Sequence, residues 1–290
     1  MRTISLLLAG AATGVLYGLI AVGIVVTYLT TRTLNFAAGA VATLAAFTFG
    51  TWVKDGWPKV LALVATLLFF GIGGGYVTGR VVMGRVRTAS ETVRAAVILG
   101  WTLGITGITA LLYNTLLPVP AFFGDASFAI ATVRLTSHQV AVAATAAALA
   151  VGLSVFLRRA WLGLALRAVA ENRDSARALG LRVDRVEAFG WMCGMTLAAL
   201  GGVLVSPLIG GDLRTQNLLF IKVLAVSVLA GMERPWLALT AGVGLGMAEA
   251  YLGVSGGFWT TNLDLLPFIV MVTGLAVVPF LQANRMRDAH

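Results

Sequence analysis

Long apolar runs separated by short polar stretches recur along the whole chain. A membrane-spanning helix needs about 20 mostly apolar residues, with a range of about 17–25. The seventh run has only 13 residues, which is typical of a short or broken helix inside a bundle, where protein satisfies the backbone. The pattern predicts an all-α, polytopic membrane bundle with eight to ten transmembrane segments in a single domain, 1–290. The nine runs are Leu6–Leu29, Leu34–Val53, Val60–Gly79, Ala95–Leu117, Gln139–Leu157, Ala188–Ile209, Leu218–Ala230, Trp236–Leu252 and Leu265–Leu281.

The first run has some features of a signal peptide, because Arg2 precedes an apolar stretch and the triplet Ala9-Gly10-Ala11. Only five apolar residues precede the triplet, whereas the apolar region of a cleavable signal has about 7–15. The run also continues to Leu29. We therefore expect a retained transmembrane helix.

The composition restricts the class of protein. Of the 290 residues, 59% are hydrophobic and 11% are charged, whereas soluble domains have about 45–50% apolar and about 25% charged residues. The mean hydropathy is +0.92. These values exclude an ordinary soluble enzyme, a disordered chain and a nucleic-acid-binding domain, although the net charge is +9. The single cysteine, Cys193, excludes a disulfide framework and a cysteine-based metal site.

Basic residues concentrate in alternate connections between the runs. Cytoplasmic loops of membrane proteins carry the excess of Lys and Arg, so the Arg-rich connections and the C-terminus are expected to be cytoplasmic. The front of the chain leaves two alternatives open. Either Arg32 is inside and Arg2 is outside, or Arg2 is inside and residues 30–53 form a re-entrant or broken element. The connections 80–94, 158–187 and 232–235 and the tail 285–287 together hold 14 Arg, and the other connections hold Lys54, Lys59, Arg134 and Arg214.

Glycines recur at four-residue spacing in several runs. In lipid, small residues at positions i and i+4 allow two helix backbones to approach closely. We expect most of these glycines to pack helices within the chain, and the spacing leaves open that one set lies at a subunit interface. The sets are Gly10, Gly14 and Gly18; Gly71, Gly75 and Gly79; Gly100 and Gly104; Gly190 and Gly194; and Gly242 and Gly246.

Ionisable side chains are few inside the runs, and two of them are predicted to pair. A charge at the bilayer centre costs roughly 2.5–3.5 kcal/mol on insertion scales, so such groups usually pair or face water. Lys222 and Glu249 fall at similar depth on consecutive antiparallel runs, near the outer side. The alternative is that each side chain reaches the outer interface separately.

Residues 158–187 carry the signals of two short helices. Leu162–Ala170 has apolar residues at i, i+4 and i+7, with Arg167 on another face. Asn172 is a good N-cap and Asp174 falls in the first turn of a second helix. Gly180 marks the end of that helix. The stretch predicts a compact docking element for a soluble cytoplasmic partner, and the alternative is a solvated hairpin anchored by Arg to lipid headgroups.

Asp184 and Glu187 have the spacing of a capping box. They are therefore predicted to open the transmembrane helix that follows the loop. No Lys follows a Gly anywhere in the chain, so the Gly-Lys-Ser/Thr loop that binds nucleotide phosphates is absent. We expect no ATP binding or hydrolysis by this chain.

Several blocks resemble one transporter family. The stretches Arg159–Gly163 and Ala168–Val186 resemble the coupling loop of branched-chain amino acid ABC transporter permeases of the LivH type. The order and spacing of the blocks, from about residue 14 to residue 252, make the set specific. The family's usual His of an Asn-Phe-Ala-His-Gly motif is Ala38 here, its glycine-rich turn is Met232–Pro235, and its Pro-x-Gly-Leu ending is Val278–Leu281. The other matching blocks are Gly18–Gly23, Leu34–Gly39, Ala198–Leu204, Lys222 with Val228–Gly231, and Gly242–Ala250.

The resemblance implies a permease subunit, not an enzyme, of an importer in the cell membrane. It implies a related second permease subunit, two cytoplasmic ABC ATPase subunits and an extracytoplasmic solute-binding protein as partners, with membrane lipid around the chain and no nucleic acid. ATP binds to the partner subunits, so no cofactor is expected here. The solute is a branched-chain amino acid or a similar small neutral or zwitterionic molecule. The residues expected at the ATPase contact are Arg167, Ala170, Glu171, Asn172, Asp174, Ala176, Leu179 and Gly180.

Asn35, Phe36 and Gly39 are candidates for the translocation pathway. They occupy a polar, small-residue break between two apolar runs, and irregular backbone at membrane depth persists only beside protein or a water-filled cavity. A simple turn at the surface is the alternative. For the whole chain, a secondary transporter or channel without ATPase partners also stays open, because such proteins carry intramembrane ionisable residues. A membrane scaffold without transport is a third alternative.

Overall fold

The computed structural model describes residues 2–113, 119–124, 127–130, 133–210, 213–232 and 234–287. Helices dominate, and two strands form a short antiparallel hairpin in which Ser127 pairs with Thr136. Within the predicted turn Met232–Pro235, Glu233 lies outside the described residues. The elements in chain order are α1 (Arg2–Thr31), α2 (Ala37–Lys54), α3 (Lys59–Thr66), α4 (Gly74–Tyr76), α5 (Met83–Arg85), α6 (Glu91–Leu112), β1 (Ser127–Ile130), β2 (Val133–Thr136), α7 (Ser137–Arg159), α8 (Trp161–Glu171), α9 (Arg173–Ala178), α10 (Val183–Ile209), α11 (Leu213–Leu229), α12 (Pro235–Leu252), α13 (Phe258–Thr261) and α14 (Leu265–Arg287).

Each of the nine apolar runs lies on a helical segment of the described chain, which confirms the all-α membrane bundle. The fourth run is shorter than predicted, because α6 ends at Leu112 and residues 114–118 lie outside the described residues. By length and composition alone, five helices of the described residues are able to cross a membrane. The hairpin was not predicted from the sequence. The five spans are Leu6–Thr31, Lys59–Arg85, Glu91–Leu112, Ser137–Leu157 and Val183–Ile209.

Helix α1 lies at the centre of the bundle and packs against α12 through glycines. A Cβ atom on Gly14 would collide with the backbone of Gly242, and one on Gly10 would collide with the backbone of Gly246. Later residues of α1 therefore face earlier residues of α12, so the two helices are antiparallel. Small residues bring the two backbones into van der Waals contact, as the four-residue spacing predicted.

Helix α10 is the second central helix. Gly190 and Gly194 contact Thr30 and Thr27 of α1. On another face of α10, Gly202 contacts the backbone of Ala42 in α2. These contacts make α10 antiparallel to α1 and parallel to α2.

Residues 59–85 form one continuous helical segment that is partly wound as π-helix. The π turns cover Leu67–Gly73 and Val77–Val82 and alternate with α3, α4 and α5. Gly71, Gly75 and Gly79 of this segment contact Thr196, Met192 and Trp191 of α10 in turn. The glycine spacing thus predicted close packing correctly here as well, whereas nothing in the sequence pattern predicted the π turns.

Gly100 and Gly104 behave differently from the other glycine sets. Nothing in the described chain lies within 4 Å of a Cβ built on either residue. Both are on an exposed face of α6. The expectation of packing within the chain is therefore wrong for this pair, because α6 turns them away from the bundle.

The turn between α1 and α2 bears on the two alternatives for the N-terminal part of the chain. The Arg32 guanidinium donates a hydrogen bond to the Ala170 carbonyl of the loop 158–187, at 3.0 Å. Arg32 therefore lies beside the Arg-rich loop. Helix α2 continues without a break over 18 residues. Both observations favour the alternative in which Arg32 and the Arg-rich loop share one side.

Candidate functional site

The two short helices of the loop 158–187 form as predicted and are capped by side chains and backbone. Asn172 begins α9: its Oδ1 accepts hydrogen bonds from the N–H groups of Asp174, at 3.0 Å, and Ser175, at 2.9 Å. This satisfies two of the N–H groups that a helix leaves unpaired at its start. Asp174 lies in the first turn, where the helix dipole favours an anion.

Gly180 ends α9 in a Schellman motif. Its φ is +83°, a conformation that favours glycine. The Gly180 N–H donates to the Arg177 carbonyl at 3.0 Å, and the Leu181 N–H donates to the Ala176 carbonyl at 3.1 Å. These two bonds fix where the helix stops and how the chain returns towards α10.

The loop rests on its own small apolar cluster and presents a polar surface away from it. Leu166, Val169 and Ala176 are buried in this cluster together with Val183 and Val186. The predicted contact residue Ala176 therefore supports the surface from beneath, because the period of α9 turns it inward. Ala170 is half-buried, and the exposed members of the predicted set are Arg167, Glu171, Asn172, Asp174, Leu179 and Gly180.

Backbone carbonyls connect the loop to the turn between α1 and α2. Arg32 donates to the Ala170 carbonyl, as described above, and Arg173 of α9 donates to the Thr30 carbonyl at 3.3 Å. Arg94 of α6 donates to the Thr31 carbonyl at 3.4 Å. These bonds join α6, α8 and α9 to the end of α1 and the turn that follows it.

Five charged groups form an ionic cluster behind the loop. Glu187 of α10 accepts a hydrogen bond from Arg87, at 2.6 Å, and forms an ion pair with Arg173, at 2.8 Å. Asp184 also pairs with Arg87, and with Arg80 at 3.5 Å. Burial acts to lower the pKa of Arg87, but the carboxylates of Glu187 and Asp184 outweigh it and raise that pKa. Burial lowers the pKa of Arg173, which Glu187 only partly opposes.

This cluster corrects the predicted capping box of α10. The N-cap of α10 is Arg182, with no side-chain hydrogen bond to the helix start. Asp184 and Glu187 bind arginines from two other parts of the chain, because a guanidinium offers both a full positive charge and several N–H donors in one plane. A capping box does form between Thr136 and Gln139, at the start of α7.

The pathway candidates lie in the interior where α1, α2, α10 and α11 meet. Asn35 is 0% exposed. Its amide nitrogen lies 3.9 Å from the Met195 sulfur, and its Oδ1 has no hydrogen-bond partner among the described residues. Gly39 contacts the Phe220 side chain, and the Phe36 and Phe220 rings lie 6.1 Å apart, edge to face.

The structure brings Lys222 and Glu249 together. The Lys222 Nζ lies 3.0 Å from both carboxylate oxygens of Glu249. Tyr17 of α1, which the sequence reasoning missed, donates its hydroxyl to the same carboxylate at 3.4 Å, and Nζ lies 5.5 Å from its ring. A phenol in the middle of a long apolar run is the signal that identifies Tyr17 as a partner of an intramembrane charge.

Sequence reasoning also missed Arg87, Arg173 and Arg94 as groups that position the loop. All three belong to Arg-rich connections that the charge rule treats only as cytoplasmic markers. The sequence did contain a signal for these partners, namely Glu187. It lies near the start of a long apolar helix and close to those connections, and an acid at such a position needs a cationic partner.

Comparisons with known proteins identify the family. Residues 6–275 match the family described as "Branched-chain amino acid transport system / permease component". The chain belongs to this family. It is therefore a permease subunit of a transport system and a multi-pass protein of the cell membrane.

Relatives match over most of its length. The "High-affinity branched-chain amino acid transport system permease protein LivH" of Escherichia coli K12 is 24% identical, over 93% of this chain and 92% of that protein. BraD of Pseudomonas aeruginosa, named for the same transport, is 27% identical over 84% of each. The "Autoinducer 2 import system permease protein LsrC" of Shigella flexneri is 26% identical over 85% of this chain and 67% of that protein. Among solved structures, "PsaBC from Streptococcus pneumoniae in complex with Fab" is 13% identical, with a TM-score of 0.46 over 94% of this chain and 88% of that chain.

Proposed function

We propose that this permease is the transmembrane subunit of an ATP-driven importer for branched-chain amino acids or a similar small neutral or zwitterionic solute. It works with a related second permease, two cytoplasmic ATPase subunits and an extracytoplasmic solute-binding protein. The chain itself carries no ATPase site and no cofactor, and ATP binds to the partner subunits. The names of LivH and BraD support the amino-acid class, and LsrC, named for autoinducer 2, marks a second class of solute among the relatives.

The observation that carries this proposal is the link between the loop surface and the membrane core. Helices α8 and α9 present Glu171, Asp174 and Leu179 outward. Behind them, Arg32 and Arg173 bind the carbonyls of Ala170 and Thr30. A partner that moves α9 therefore moves the end of α1.

The same movement reaches the pathway candidates. Thr30 is followed within five residues by Asn35, and the end of α1 packs on Gly190 and Gly194 of α10. Asn35 is enclosed in the present conformation, and its unpartnered amide oxygen favours a second conformation in which water or solute pairs with it. A two-state element shifts only by the differential affinity of something bound to it, and nucleotide binding to the ATPase subunits provides that difference.

The experiment uses two proline variants in the complete transporter, reconstituted with its ATPase and binding-protein partners. Asn172→Pro removes the cap of α9, which is worth about 1 kcal/mol, and Gly180→Pro cannot adopt the positive φ that the Schellman motif requires. Both variants are expected to insert normally and to lose solute uptake. Asn172→Asp is the matched control, because aspartate caps a helix as well as asparagine does. Solute-stimulated ATPase activity that persists in both proline variants would show that α9 is not the docking element.

A further inference from the structure

A cavity of about 520 Å³ opens on the cytoplasmic side of the bundle, away from the ionic cluster behind the loop. It lies between the ends of α1 and α7, helix α8 and the first turn of α12. Neither the pathway candidates nor any residue of α9 lines it. The lining residues are Val26, Leu29, Thr30, Arg32, Leu157, Leu166, Arg167, Ala170, Glu171, Arg234, Pro235 and Trp236.

The cavity combines an apolar floor with a basic rim. Val26 and Leu166 are buried, and Leu29 and Leu157 extend the floor along the last turns of two transmembrane helices. Among the described residues that line the cavity, the rim carries Arg32, Arg167 and Arg234 and one carboxylate, that of Glu171, which is three positive groups and one negative group. All three arginines are exposed.

Arg32 is held in place at this rim. It donates to the Ala170 carbonyl at 3.0 Å, and its guanidinium lies 5.9 Å from the Tyr28 ring centroid. A guanidinium carries five N–H donors in a fixed plane, so Arg32 has further N–H groups besides the one that binds Ala170. Planar donors of this kind bind phosphate oxygens in pairs.

The start of α12 adds to the positive potential. Arg234 is its N-cap and makes no side-chain cap, and Pro235 occupies the first helical position. The partial positive charge of the N-terminus of α12 therefore lies at the cavity. Trp236 follows and is 47% exposed, and tryptophan is enriched at the level of the lipid headgroups.

We propose that this cavity binds the headgroup phosphate of an anionic phospholipid, with the first methylenes of its acyl chains on the apolar floor. Basic pockets between transmembrane helices on the cytoplasmic side are suited to such headgroups. The floor is continuous with the end of α7, whose Val151 and Val155 are exposed, and this favours lipid over a segment of the ATPase. Of the residues expected at the ATPase contact, Arg167, Ala170 and Glu171 of α8 line the cavity and those of α9 do not. A bound lipid bridges α1, α8 and α12 and so holds α8 in one orientation.

Lipid binding does not depend on the solute or on ATP, so it is tested separately from the proposed function. The full chain, purified in detergent, is titrated with phosphatidylglycerol and with phosphatidylcholine of the same acyl chains, and bound lipid is counted by native mass spectrometry. Inorganic phosphate alone is added in a third arm. We expect binding of phosphatidylglycerol to exceed that of phosphatidylcholine, and phosphate to compete only weakly because it lacks the acyl chains.

Arg167→Gln and Arg234→Gln are each expected to weaken phosphatidylglycerol binding about fivefold, the effect of one basic residue near an anionic surface. Arg85→Gln is the matched control: Arg85 is exposed on the same side but lies outside the cavity and donates to its own helix at Val81. The thermal midpoint without lipid verifies that each variant is folded. Equal binding of the two lipids, unchanged binding in both cavity variants, full competition by phosphate, or loss of the lipid when the ATPase subunits bind would each overturn the proposal.

Discussion

Lys222 of α11 and Glu249 of α12 form an ion pair inside the membrane domain, with Nζ 3.0 Å from both carboxylate oxygens. Tyr17 of α1, a third helix, donates a hydrogen bond to the same carboxylate. Removal of one partner of a buried pair leaves an uncompensated charge and costs about 3–5 kcal/mol. The pair and Tyr17 therefore tie the central helix α1 to α11 and α12.

Double-mutant analysis of this pair should reveal coupling. Lys222→Ala and Glu249→Ala should each lower the thermal midpoint and impair transport, and the double variant should be less harmful than the sum. Tyr17→Phe, which removes only the 3.4 Å hydroxyl contact, is expected to cost less than either. Strictly additive single effects would instead indicate two independent charges.

Close packing of α1 on α12 predicts different outcomes for two glycines on one helix. A Cβ on Gly246 would lie 2.6 Å from the backbone nitrogen of Gly14, whereas a Cβ on Gly244 has nothing within 4 Å. Gly246→Ala should therefore destabilise the chain by about 1–3 kcal/mol through overpacking. Gly244→Ala should be neutral or slightly stabilising, since glycine costs about 0.5–1 kcal/mol relative to alanine in a helix. Thermal unfolding in one detergent compares them, and equal midpoints would contradict the packing.

The ionic cluster behind the loop predicts a large effect from the loss of one carboxylate. Glu187→Gln removes the charge that holds Arg87 and Arg173, and should cost about 2–3 kcal/mol. Glu91→Gln is the control, because Glu91 is 88% exposed and 3.7 Å from Arg94; surface changes of this kind stay within about 0.5 kcal/mol. Both are measured by thermal unfolding and by solute-stimulated ATPase activity. An effect of Glu187→Gln no larger than that of the control would exclude the cluster as a support of the loop.

The enclosed position of Asn35 predicts state-dependent access. In a Cys193→Ala background, Asn35→Cys should be unreactive towards small water-soluble thiol reagents in the resting transporter and should react when nucleotide changes the conformation. Asp55→Cys, at the exposed end of α2, should react in every state. Reactivity of residue 35 that ignores the nucleotide state would argue against a pathway role.

Patterns that act over a few residues were predictable from the sequence. The apolar runs predicted the helices, Asn172 and Gly180 predicted the ends of α9, and the glycine spacing predicted that Gly14 and Gly242 lie at close helix contacts. Each of these depends on local geometry or on a period along one helix. The pairing of Lys222 with Glu249 was predicted from their similar depth in the membrane, because consecutive antiparallel runs place such residues at comparable heights.

Relationships that depend on which helices become neighbours were not predictable. From the sequence, Glu187 fits a helix cap and an ion-pair partner equally well. The structure shows the ion pair, because Arg87, 100 positions earlier in the chain, folds next to it. Counting charges did not decide on which side of the membrane Arg32 lies. Its partner, the Ala170 carbonyl, is a backbone group that every residue carries, so no sequence pattern indicates it. Gly100 has the same spacing as Gly14, yet α6 turns it outward.

The central claim, that this permease imports its solute with energy from separate ATPase subunits, is tested most directly by uptake into proteoliposomes that contain the complete transporter. ATP is supplied to the ATPase side in the absence of a proton gradient, and the reverse condition applies a proton gradient without ATP. The account predicts binding-protein-dependent uptake with ATP alone and none with the gradient alone. Uptake driven by the gradient without ATP or ATPase subunits would contradict it and would identify the chain as a secondary transporter.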